Sequence, residues 1–371
     1  MGRIVEHVNA TQVEMDTPYR EVVVMHTVRL GRTGLMVSAV GFGGIPIQRL
    51  SEAQAIEVVR GCIDLGVTFL DTATGYTTSE ERIGRAISGR REGLVIATKS
   101  PARDGAGVRD HLALSLQRLR LETIDLFQFH NVSERADFDA LFVSGGPFEV
   151  ICHARDEGVV GHIGFTTHSM EMALRATASG HFETVMFPFN FITEEAADRL
   201  IPLALQNDVG FIAMKPMGGG MLEDATLAFK YLRQFSGVVP IVGIEQTTEM
   251  EQIVEVMTGP ADLTAEEKAC MAQLRAELGT RFCRRCDYCQ PCPEDIPIST
   301  LMTLPSAIKR LPTDSLTNGW VGEAVEQAAH CADCGECELR CPYHLPIRQM
   351  MDEHVSVYHH AVGRYGASAA I

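Results

Sequence analysis

Four side chains that can take part in proton transfer each follow an apolar run of the chain. Asp71 ends the run that contains Phe69 and Leu70, and Tyr76 comes next, in a loop that contains a glycine. Lys99 and His130 each end a later apolar run. A strand that ends on such a group does not suit a purely hydrophobic core, because charged side chains are rarely buried without a partner. The pattern instead predicts a site where these four groups meet.

The four residue types together suit the reduction of a carbonyl group. A phenol has a pKa of about 10 and needs a neighbouring cation to give up its proton near neutrality. Lys99 can be that cation for Tyr76, and Asp71 can keep Lys99 charged away from water. His130 can donate a hydrogen bond that orients the carbonyl oxygen. Taken singly, each residue could be a helix cap, an exposed lysine or a structural histidine, but their common placement favours a catalytic site.

Apolar runs alternate with helical patterns over most of the chain, and each run has the length of a strand. The eight runs are Val37–Phe42, Val67–Asp71, Leu94–Lys99, Ile124–His130, Val160–Thr166, Thr184–Asn190, Gly210–Lys215 and Val238–Ile244. Amphipathic helices are predicted between them, for example after the cap Ser51, over Glu194–Leu205 and over Glu249–Met257. This alternation predicts a (β/α)8 TIM barrel, in which the carboxyl ends of the strands share one mouth.

Two features near the start of this region bear on the fold. The segment Thr27–Val37 reads as two short strands around a glycine-rich turn, so we expect a hairpin ahead of the barrel. A doubly wound parallel sheet is the alternative fold, and it usually carries a G-x-G-x-x-G fingerprint after its first strand. Here Gly43 and Gly44 are followed by Pro46, which suits a loop better than the start of a phosphate-binding helix.

Composition limits the classes of protein that this chain can be. Its 371 residues allow one large domain and one small domain, and 46% hydrophobic residues predict a sizeable core. The net charge of −16 argues against non-specific binding to nucleic acid or to an anionic membrane. The polar N-terminus does not resemble a signal peptide, so we expect a cytoplasmic protein. We predict a lead-in over 1–26, a barrel over 27–262 and a helical domain over 263–371 that begins at the cap Thr264.

Eight of the eleven cysteines lie in two groups near the end of the chain. The groups read Cys283-x-x-Cys286-x-x-Cys289-x-x-Cys292 and Cys331-x-x-Cys334-x-x-Cys337-x-x-x-Cys341, each followed by proline. The second has the spacing of bacterial ferredoxins, in which the fourth cysteine ligates the other cluster. We therefore predict two [4Fe–4S] clusters, one on Cys283, Cys286, Cys289 and Cys341 and one on Cys331, Cys334, Cys337 and Cys292. Two structural zinc sites are the alternative.

Around the four proton-transfer residues, the chain resembles the aldo/keto reductase family. Three segments match the family's Asp, Tyr, Lys and His tetrad in the family's order, namely Asp71-Thr72-Ala73-Thr74-Gly75-Tyr76, Ala97-Thr98-Lys99 and Phe129-His130. The resemblance implies a small carbonyl substrate and a nicotinamide cofactor, NAD(P)H, bound extended over the barrel mouth. It also implies Tyr76 as the proton donor, Lys99 and Asp71 as its tuning pair and His130 as the group that orients the substrate.

The resemblance further implies which residues would hold the cofactor. They are Gly43, Gly44, Thr166, Thr167, His168, Asn190, Lys215, Pro216, Gly218, Gly219, Gly243, Glu245 and Thr247. Met186 and Met214 replace the glutamine and the aromatic residue that are common near the nicotinamide ring. The segment after the eighth strand contains several glutamates and no cation. An anionic loop repels a 2′-phosphate, so this segment favours NAD over NADP or weak discrimination between the two.

From end to end, the chain resembles the subgroup of this family that carries a C-terminal, α-helical ferredoxin-like 4Fe–4S domain. The clusters either pass electrons between a partner protein and the nicotinamide site or serve only the structure, and the sequence favours transfer. Two other functions stay open. One is an electron-transfer protein whose barrel is a docking scaffold, and the other is a zinc-containing relative without turnover.

Overall fold

The computed structural model describes residues 25–368, with side chains as far as residue 363. The lead-in predicted over residues 1–26 therefore lies almost wholly outside the described residues, and so do residues 369–371. None of the described helices combines the length and the apolar character that crossing a membrane requires.

A hairpin closes one end of the barrel. Its strands, β1 (Thr27–Arg29) and β2 (Met36–Ser38), pair antiparallel, which confirms the predicted hairpin. Leu30 in the connecting turn is fully buried among side chains from the barrel interior, such as Leu126. The turn also pairs with the backbone just ahead of a barrel strand. The hairpin thus covers the end where the strands begin and leaves the opposite end open.

Eight short parallel strands form a closed barrel. They are β3 (Gly41–Gly43), β4 (Phe69–Asp71), β5 (Val95–Ser100), β6 (Ile124–Phe129), β7 (Val160–Thr166), β8 (Thr184–Pro188), β9 (Gly210–Met214) and β10 (Val238–Val242). Each strand pairs with its neighbour in the chain, and β10 closes the barrel on β3. The predicted (β/α)8 barrel is confirmed, and the doubly wound sheet is excluded because an open sheet has no such closing pair.

Helices cover the outside of the barrel. They are α1 (Glu52–Asp64), α2 (Ser79–Ala86), α3 (Gly105–Leu119), α4 (Arg135–Ala140), α5 (Pro147–Asp156), α6 (Met170–Ala178), α7 (Leu200–Gln206), α8 (Ala225–Leu232) and α9 (Thr247–Thr258). Ser51 caps α1 as predicted, since its hydroxyl accepts the Gln54 backbone N–H and the Gln54 side chain binds back to the Ser51 backbone. The helix predicted over Glu249–Met257 is likewise confirmed.

The first barrel strand differs from the prediction. An unbroken strand is expected over Val37–Phe42, but the hairpin strand ends at Ser38 and the barrel strand starts at Gly41. The Ser38 hydroxyl donates a hydrogen bond to the Val40 carbonyl at 2.7 Å. This local bond bends the chain between the two strands, so one apolar run serves two different sheets.

The helix predicted over Glu194–Leu205 is also shorter than expected. It starts only at Leu200, and the residues before it form turns. Glu194 pairs with Arg275 at 2.7 Å, and Arg275 also donates to the backbone carbonyl of Phe191. These long-range bonds fix the chain in a non-helical path that its local pattern does not show.

The described part of the region after the barrel contains helices joined by turns and no strand, as predicted. Its helices are α10 (Ala265–Leu278), α11 (Ile298–Leu301), α12 (Leu304–Arg310), α13 (Thr313–Thr317), α14 (Trp320–Ala328), α15 (Glu336–Arg340) and α16 (Ile347–Ser368). The predicted cap Thr264 forms a capping box at the start of α10, and Met271 of this helix packs into the barrel core. A separate core gathers Leu301, Leu316 and other apolar residues of the later helices. The domain boundary after residue 262 stays a prediction.

The short helix α12 lies over the open end of the barrel. The Ser306 hydroxyl donates to the Gly219 carbonyl at 2.7 Å, and the Lys309 amine donates to the Gly220 carbonyl at 3.0 Å. Both carbonyls belong to the glycine-rich loop that follows β9. The helical region therefore covers part of the barrel mouth, and side chains from both regions face the same cavity.

Candidate active site

Adjacent barrel strands position the four predicted proton-transfer residues. Asp71 is the last residue of β4, Lys99 lies near the end of β5, and His130 directly follows β6. Tyr76 lies in the loop after β4. All four line one cavity of about 830 Å³ at the barrel mouth, within the size range of small-molecule sites. The structure thus brings together the four residues that the sequence singles out.

Lys99 and Asp71 form a buried ion pair at the base of this cavity. The Lys99 Nζ lies 2.5 Å from the Asp71 Oδ1, and each side chain is only 2% exposed. The ammonium also donates to the Thr72 carbonyl at 2.7 Å. Burial disfavours the charged form of Lys99, but its attraction to Asp71 and to the Tyr76 oxygen outweighs burial and raises the pKa of Lys99 above its ordinary value. Lys99 is therefore a fixed cation.

The second oxygen of Asp71 has a partner that the sequence analysis missed. The Gln128 side-chain amide donates to the Asp71 Oδ2 at 2.9 Å from the middle of β6. The Gln128 Oε1 is buried and finds no hydrogen-bond partner among the described residues. A polar residue between Phe127 and Phe129 in an apolar strand is a visible signal, but only the closed barrel shows that it reaches Asp71.

Tyr76 lies between the cation and the imidazole. The Lys99 Nζ is 5.0 Å from the centre of the Tyr76 ring, and the His130 ring stands edge-on to that ring with centroids 5.7 Å apart. Burial raises the pKa of the Tyr76 phenol, while the charge of Lys99 lowers it. The net shift of the Tyr76 pKa is upward, because the predicted lowering by Lys99 is smaller than the increase caused by burial. The phenol holds its proton near neutral pH.

His130 is a neutral imidazole in this site. Burial lowers its pKa to about 3, and the positive charges of Lys99, Arg103 and Arg285 act in the same direction. The backbone N–H of His130 donates to the Ser100 carbonyl at 2.9 Å, which fixes the residue at the strand end. A neutral imidazole can donate one hydrogen bond to a carbonyl oxygen without carrying a charge.

The residues predicted to hold the cofactor divide into three groups. Those that line the large cavity are Gly43, Gly44, Thr166, His168, Lys215, Pro216, Gly219, Gly243 and Glu245. Asn190 and Gly218 line a smaller adjoining cavity. Thr167 and Thr247 line neither cavity: the Thr167 hydroxyl accepts the Ser169 backbone N–H, and Thr247 packs against Gly61 of α1.

The amide of Asn190 is occupied by the backbone around it. Its Nδ2 donates to the Lys215 carbonyl at 2.9 Å, and its Oδ1 accepts the N–H groups of Ile192 and Thr193, each at 2.9 Å. An amide has two donor hydrogens and two acceptor lone pairs, so both lone pairs are already used. Asn190 therefore shapes the loop, with only one hydrogen left to offer a ligand.

His168 and Lys215 form a bonded pair on the wall of the cavity. The Lys215 Nζ lies 2.9 Å from the His168 Nε2, and the His168 Nδ1 lies 2.8 Å from the Asn131 Oδ1. The Nδ1 therefore donates to the amide oxygen and the Nε2 accepts from the amine. Burial holds the pKa of both side chains well below their ordinary values. Lys215 has a left-handed backbone with φ of 57°, and the glycine-rich loop begins after Met217.

The acidic segment after β10 gains a cation from elsewhere in the chain. The Arg49 guanidinium, from the 3-10 turn Pro46–Arg49, lies 3.1 Å from the Glu245 carboxylate. Arg49 also donates to the Lys309 carbonyl of α12. The segment itself contains no cation, as the sequence shows, but the fold offsets part of its negative charge. The preference for NAD over NADP stays a prediction.

Some cysteines of the two groups lie near each other in the fold. Burial raises the pKa of the Cys286 thiol, and Cys341 is near enough to add to that effect. Cys292 of the first group lines a small pocket with Cys331, Cys334 and Cys337 of the second. These positions are compatible with the crossed ligand sets, which stay a prediction.

The donor set fits iron–sulfur clusters. The eight thiols are free, and burial raises the pKa of Cys283 to about 11 and that of Cys289 to about 12. Thiols in such a setting become thiolates when a metal takes the place of the proton. Within residues 25–363, no three His, Cys, Asp or Glu side chains converge as the ligands of one metal ion would. A [4Fe–4S] cluster is larger than a single ion, so its ligand thiols need only surround a common space.

The fold and the site define an oxidoreductase of the (β/α)8 barrel class with an appended cysteine-rich domain. A model of the aldo/keto reductase family matches residues 39–228, which is half of the chain. The protein belongs to the aldo/keto reductase family. A model of a 4Fe-4S dicluster domain matches residues 282–346 and covers both cysteine groups.

Several named proteins are similar to the barrel. The aldo-keto reductase YhdN of Bacillus subtilis (strain 168) is 28% identical over 233 residues, which are 56% of this chain and 69% of YhdN. The L-galactose dehydrogenase of Arabidopsis thaliana is 28% identical over 214 residues, 53% of this chain and 66% of that protein.

Solved structures show the same fold. An aldo-keto reductase from Bacillus halodurans, in its holo form, superposes with a TM-score of 0.58 and 20% identity over 67% of this chain and 96% of its own. One from Klebsiella pneumoniae, in complex with NADPH, gives a TM-score of 0.56 and 23% identity over 68% and 95%. Each match covers about two thirds of this chain.

Proposed function

We propose that this protein reduces an aldehyde or a ketone with NAD(P)H and that Tyr76 donates the proton. The observation that carries the proposal is the convergence of Tyr76, His130 and the buried Lys99–Asp71 pair at the mouth of one cavity. In the proposed reaction the carbonyl carbon gains a hydride, the oxygen gains a proton, and the products are an alcohol and NAD(P)+.

Each of the four side chains has a separate role at the carbonyl oxygen. His130, neutral because its pKa is lowered to about 3, donates a hydrogen bond that places the oxygen beside the Tyr76 phenol. Tyr76 then passes its proton to that oxygen. The phenolate left behind is stabilised by the Lys99 ammonium, and Asp71 keeps that buried ammonium charged.

The cavity residues fit a nicotinamide cofactor, which supplies the hydride when bound. The left-handed glycines Gly218, Gly219 and Gly220 carry no side chains, and Lys215 offers a nearby amine, so an extended pyrophosphate could lie along this wall. The Klebsiella reductase with the same fold holds NADPH. We infer NAD as the preferred form, because Glu245 and Glu249 line the far end of the cavity.

We further propose two [4Fe–4S] clusters with the crossed ligand sets given above, and a role for them in electron transfer to or from a partner protein. Cys331 and Cys334 are exposed, so the second cluster would lie at the surface, where a partner could reach it. Cys283 lines the smaller cavity beside Lys215, so the first would lie next to the active site. Because clustered free thiols are typical of reducing compartments, we place the protein in the cytoplasm.

The change Tyr76→Phe tests the proposal. It should lower kcat by about 10²- to 10⁴-fold, the usual contribution of a general acid, and leave the cofactor Kd unchanged. Tyr231→Phe removes the hydroxyl of a tyrosine on α8 that lines neither cavity, and it is the matched control. Normal carbonyl reduction by Tyr76→Phe would overturn the role of Tyr76. Failure to bind NADH or NADPH, combined with reduction by a ferredoxin, would favour an electron-transfer protein instead.

A further inference from the structure

Two arginines from the helical region reach into the cavity of the barrel. Arg310 ends α12, and Arg285 lies inside the first cysteine group. Both line the large cavity and also the smaller one that adjoins it. Arg310 lies against the glycine loop, since a Cβ on Gly219 would make an ordinary contact of 3.5 Å with the Arg310 Nη2. The barrel site is thus completed by side chains of the cluster-bearing region.

The two guanidinium groups line the same cavity as Tyr76 and His130. Arg310 is near enough to Tyr76 for its charge to lower the pKa of the phenol, against the larger effect of burial. Arg285 acts in the same way on His130 and His168, whose pKa values are lowered first by burial and then by nearby cations. A ligand group held by these arginines would therefore lie in the same cavity as the oxygen that Tyr76 and His130 contact.

Neither guanidinium has an acidic partner. Arg103, which lines the same cavity, pairs with Asp137 at 2.9 Å. In contrast, no Asp or Glu among the described side chains lies within ion-pair distance of Arg310 or Arg285. Apart from contacts with the glycine loop, Arg310 makes one weak bond, from its Nε to the Ser306 carbonyl at 3.3 Å.

Three of the four acids that line the cavity, all but Glu223, are bonded to other groups, and Glu249 accepts the backbone N–H groups of Glu245 and Gln246. Asp71 is bonded to Lys99 and Gln128, and Glu245 is paired with Arg49. Burial and the like charge of the second arginine lower the pKa of Arg310 to about 10. Arg285 lies between Cys283 and Cys286, so the thiolates of a bound cluster would balance part of its charge, and Arg310 is left as a desolvated cation without a counter-charge. A bound anion supplies that counter-charge, and a planar carboxylate matches the fork of a guanidinium.

We propose that Arg310 and Arg285 bind a carboxylate of the substrate beside its reacting carbonyl, so that the substrate is an oxo acid. This inference rests on the proposed reductase function and deepens it. The iron–sulfur region then acts in substrate selection as well as in electron transfer. The cofactor pyrophosphate is also an anion and would lie at the neighbouring glycine loop. The tests therefore distinguish a substrate carboxylate from the pyrophosphate as the group that the arginines bind.

The kinetic test uses the cluster-loaded full chain and aliphatic oxo acids of increasing length, each compared with its methyl ester. We expect the best acid to exceed its ester in kcat/KM by at least about tenfold, the value of a charge-assisted hydrogen bond. In Arg310→Gln the ratio should fall towards one through a higher KM for the acid, while the KM for NAD(P)H stays constant. Arg310→Lys should show an acid-to-ester ratio of kcat/KM between that of the wild type and that of Arg310→Gln. Arg135→Gln, which removes an exposed arginine of α4 outside the cavity, should keep the wild-type ratio.

A binding test does not depend on turnover. Oxamate, an unreactive analogue of a 2-oxo acid, is titrated by calorimetry into the wild type, Arg310→Gln and Arg285→Gln, with iron content and circular dichroism matched. We expect a loss of affinity of about tenfold or more in both variants, even if no carbonyl is reduced and the reductase proposal fails. Unchanged oxamate affinity would overturn the inference. So would variants in which only the NAD(P)H affinity falls, because the anion would then be the pyrophosphate.

Discussion

Replacing Asp71 with asparagine should destabilise the barrel far more than the same change at Asp64. The two carboxylates make ion pairs of similar length, 2.5 Å from Asp71 to Lys99 and 2.6 Å from Asp64 to Arg90. They differ in burial, since the side chains of the first pair are 2% exposed, whereas those of Arg90 and Asp64 are 41% and 59% exposed. The comparison therefore tests how solvent exposure changes the contribution of an ion pair to the free energy of unfolding.

The expected magnitudes follow from that difference. Unit charges about 4 Å apart attract by about 1 kcal/mol in water and by about 4 kcal/mol at an effective dielectric constant of 20. Asp71→Asn leaves a buried ammonium without a counter-charge, which costs about 3–5 kcal/mol. Asp64→Asn removes an exposed pair worth about 0–1 kcal/mol.

Thermal unfolding of cluster-loaded protein measures the difference, with one scan rate for all variants because unfolding that releases clusters is not reversible. A domain of this size loses about 2–4 °C of Tm per kcal/mol, so we expect a fall of about 6–20 °C for Asp71→Asn and less than about 4 °C for Asp64→Asn. Adding Lys99→Met to Asp71→Asn should recover part of the loss, because the orphaned charge is gone.

The pH dependence has a definite sign. The pKa of Lys99 is raised in the folded protein, so its contribution is complete below its unfolded pKa of about 10.4 and is lost only as pH rises through the folded value. In Asp71→Asn the attraction to Asp71 is lost and burial lowers the pKa of Lys99, so the orphaned ammonium gives up its proton as pH rises. The gap in Tm between wild type and Asp71→Asn should therefore be widest at low pH and narrow as pH rises. Equal falls in Tm for Asp71→Asn and Asp64→Asn would refute the reasoning, since Asp71 would then be uncharged in the folded state.

Three further predictions concern the imidazole, the buried amide and the cluster ligands. Because the pKa of His130 is lowered to about 3, kcat/KM should show no histidine step between about pH 5 and 8, and a step near 6.5 would contradict this. Gln128→Leu removes the donor to Asp71 Oδ2 and should cost about 1.5–3 kcal/mol, measured as a lower Tm. By electron paramagnetic resonance, Cys341→Ser should alter the cluster of the first cysteine group and Cys292→Ser that of the second, and the reverse result would show uncrossed ligands.

Two of these predictions have matched controls in the chain. Cys270 is exposed and lies outside both cysteine groups, so Cys270→Ser should leave the spectra and the iron content unchanged. Gln234 is an exposed-site glutamine on the barrel surface that bonds to backbone carbonyls, so Gln234→Leu should lower Tm much less than Gln128→Leu.

The barrel could be predicted because its signals are local. Apolar runs and helical patterns alternate along the chain, and caps such as Ser51 and Thr264 mark helix starts within a few residues. The errors arose where distant groups decided the path. The segment after Glu194 is held in turns by Arg275, from a helix beyond the barrel, and no local pattern records that bond.

The sequence by itself determined the barrel, the four strand-end residues of the candidate site and the two cysteine groups, because residue type and short spacing carry each of these. Only the tertiary structure decided that Gln128 supports Asp71 and that Asn190 is occupied by its own loop. It also decided that Arg310 enters the barrel site from another region. The physical reason is that burial, counter-charge and hydrogen-bond partners come from segments far apart in the chain, and they meet only when the barrel closes and the helical region packs over its mouth.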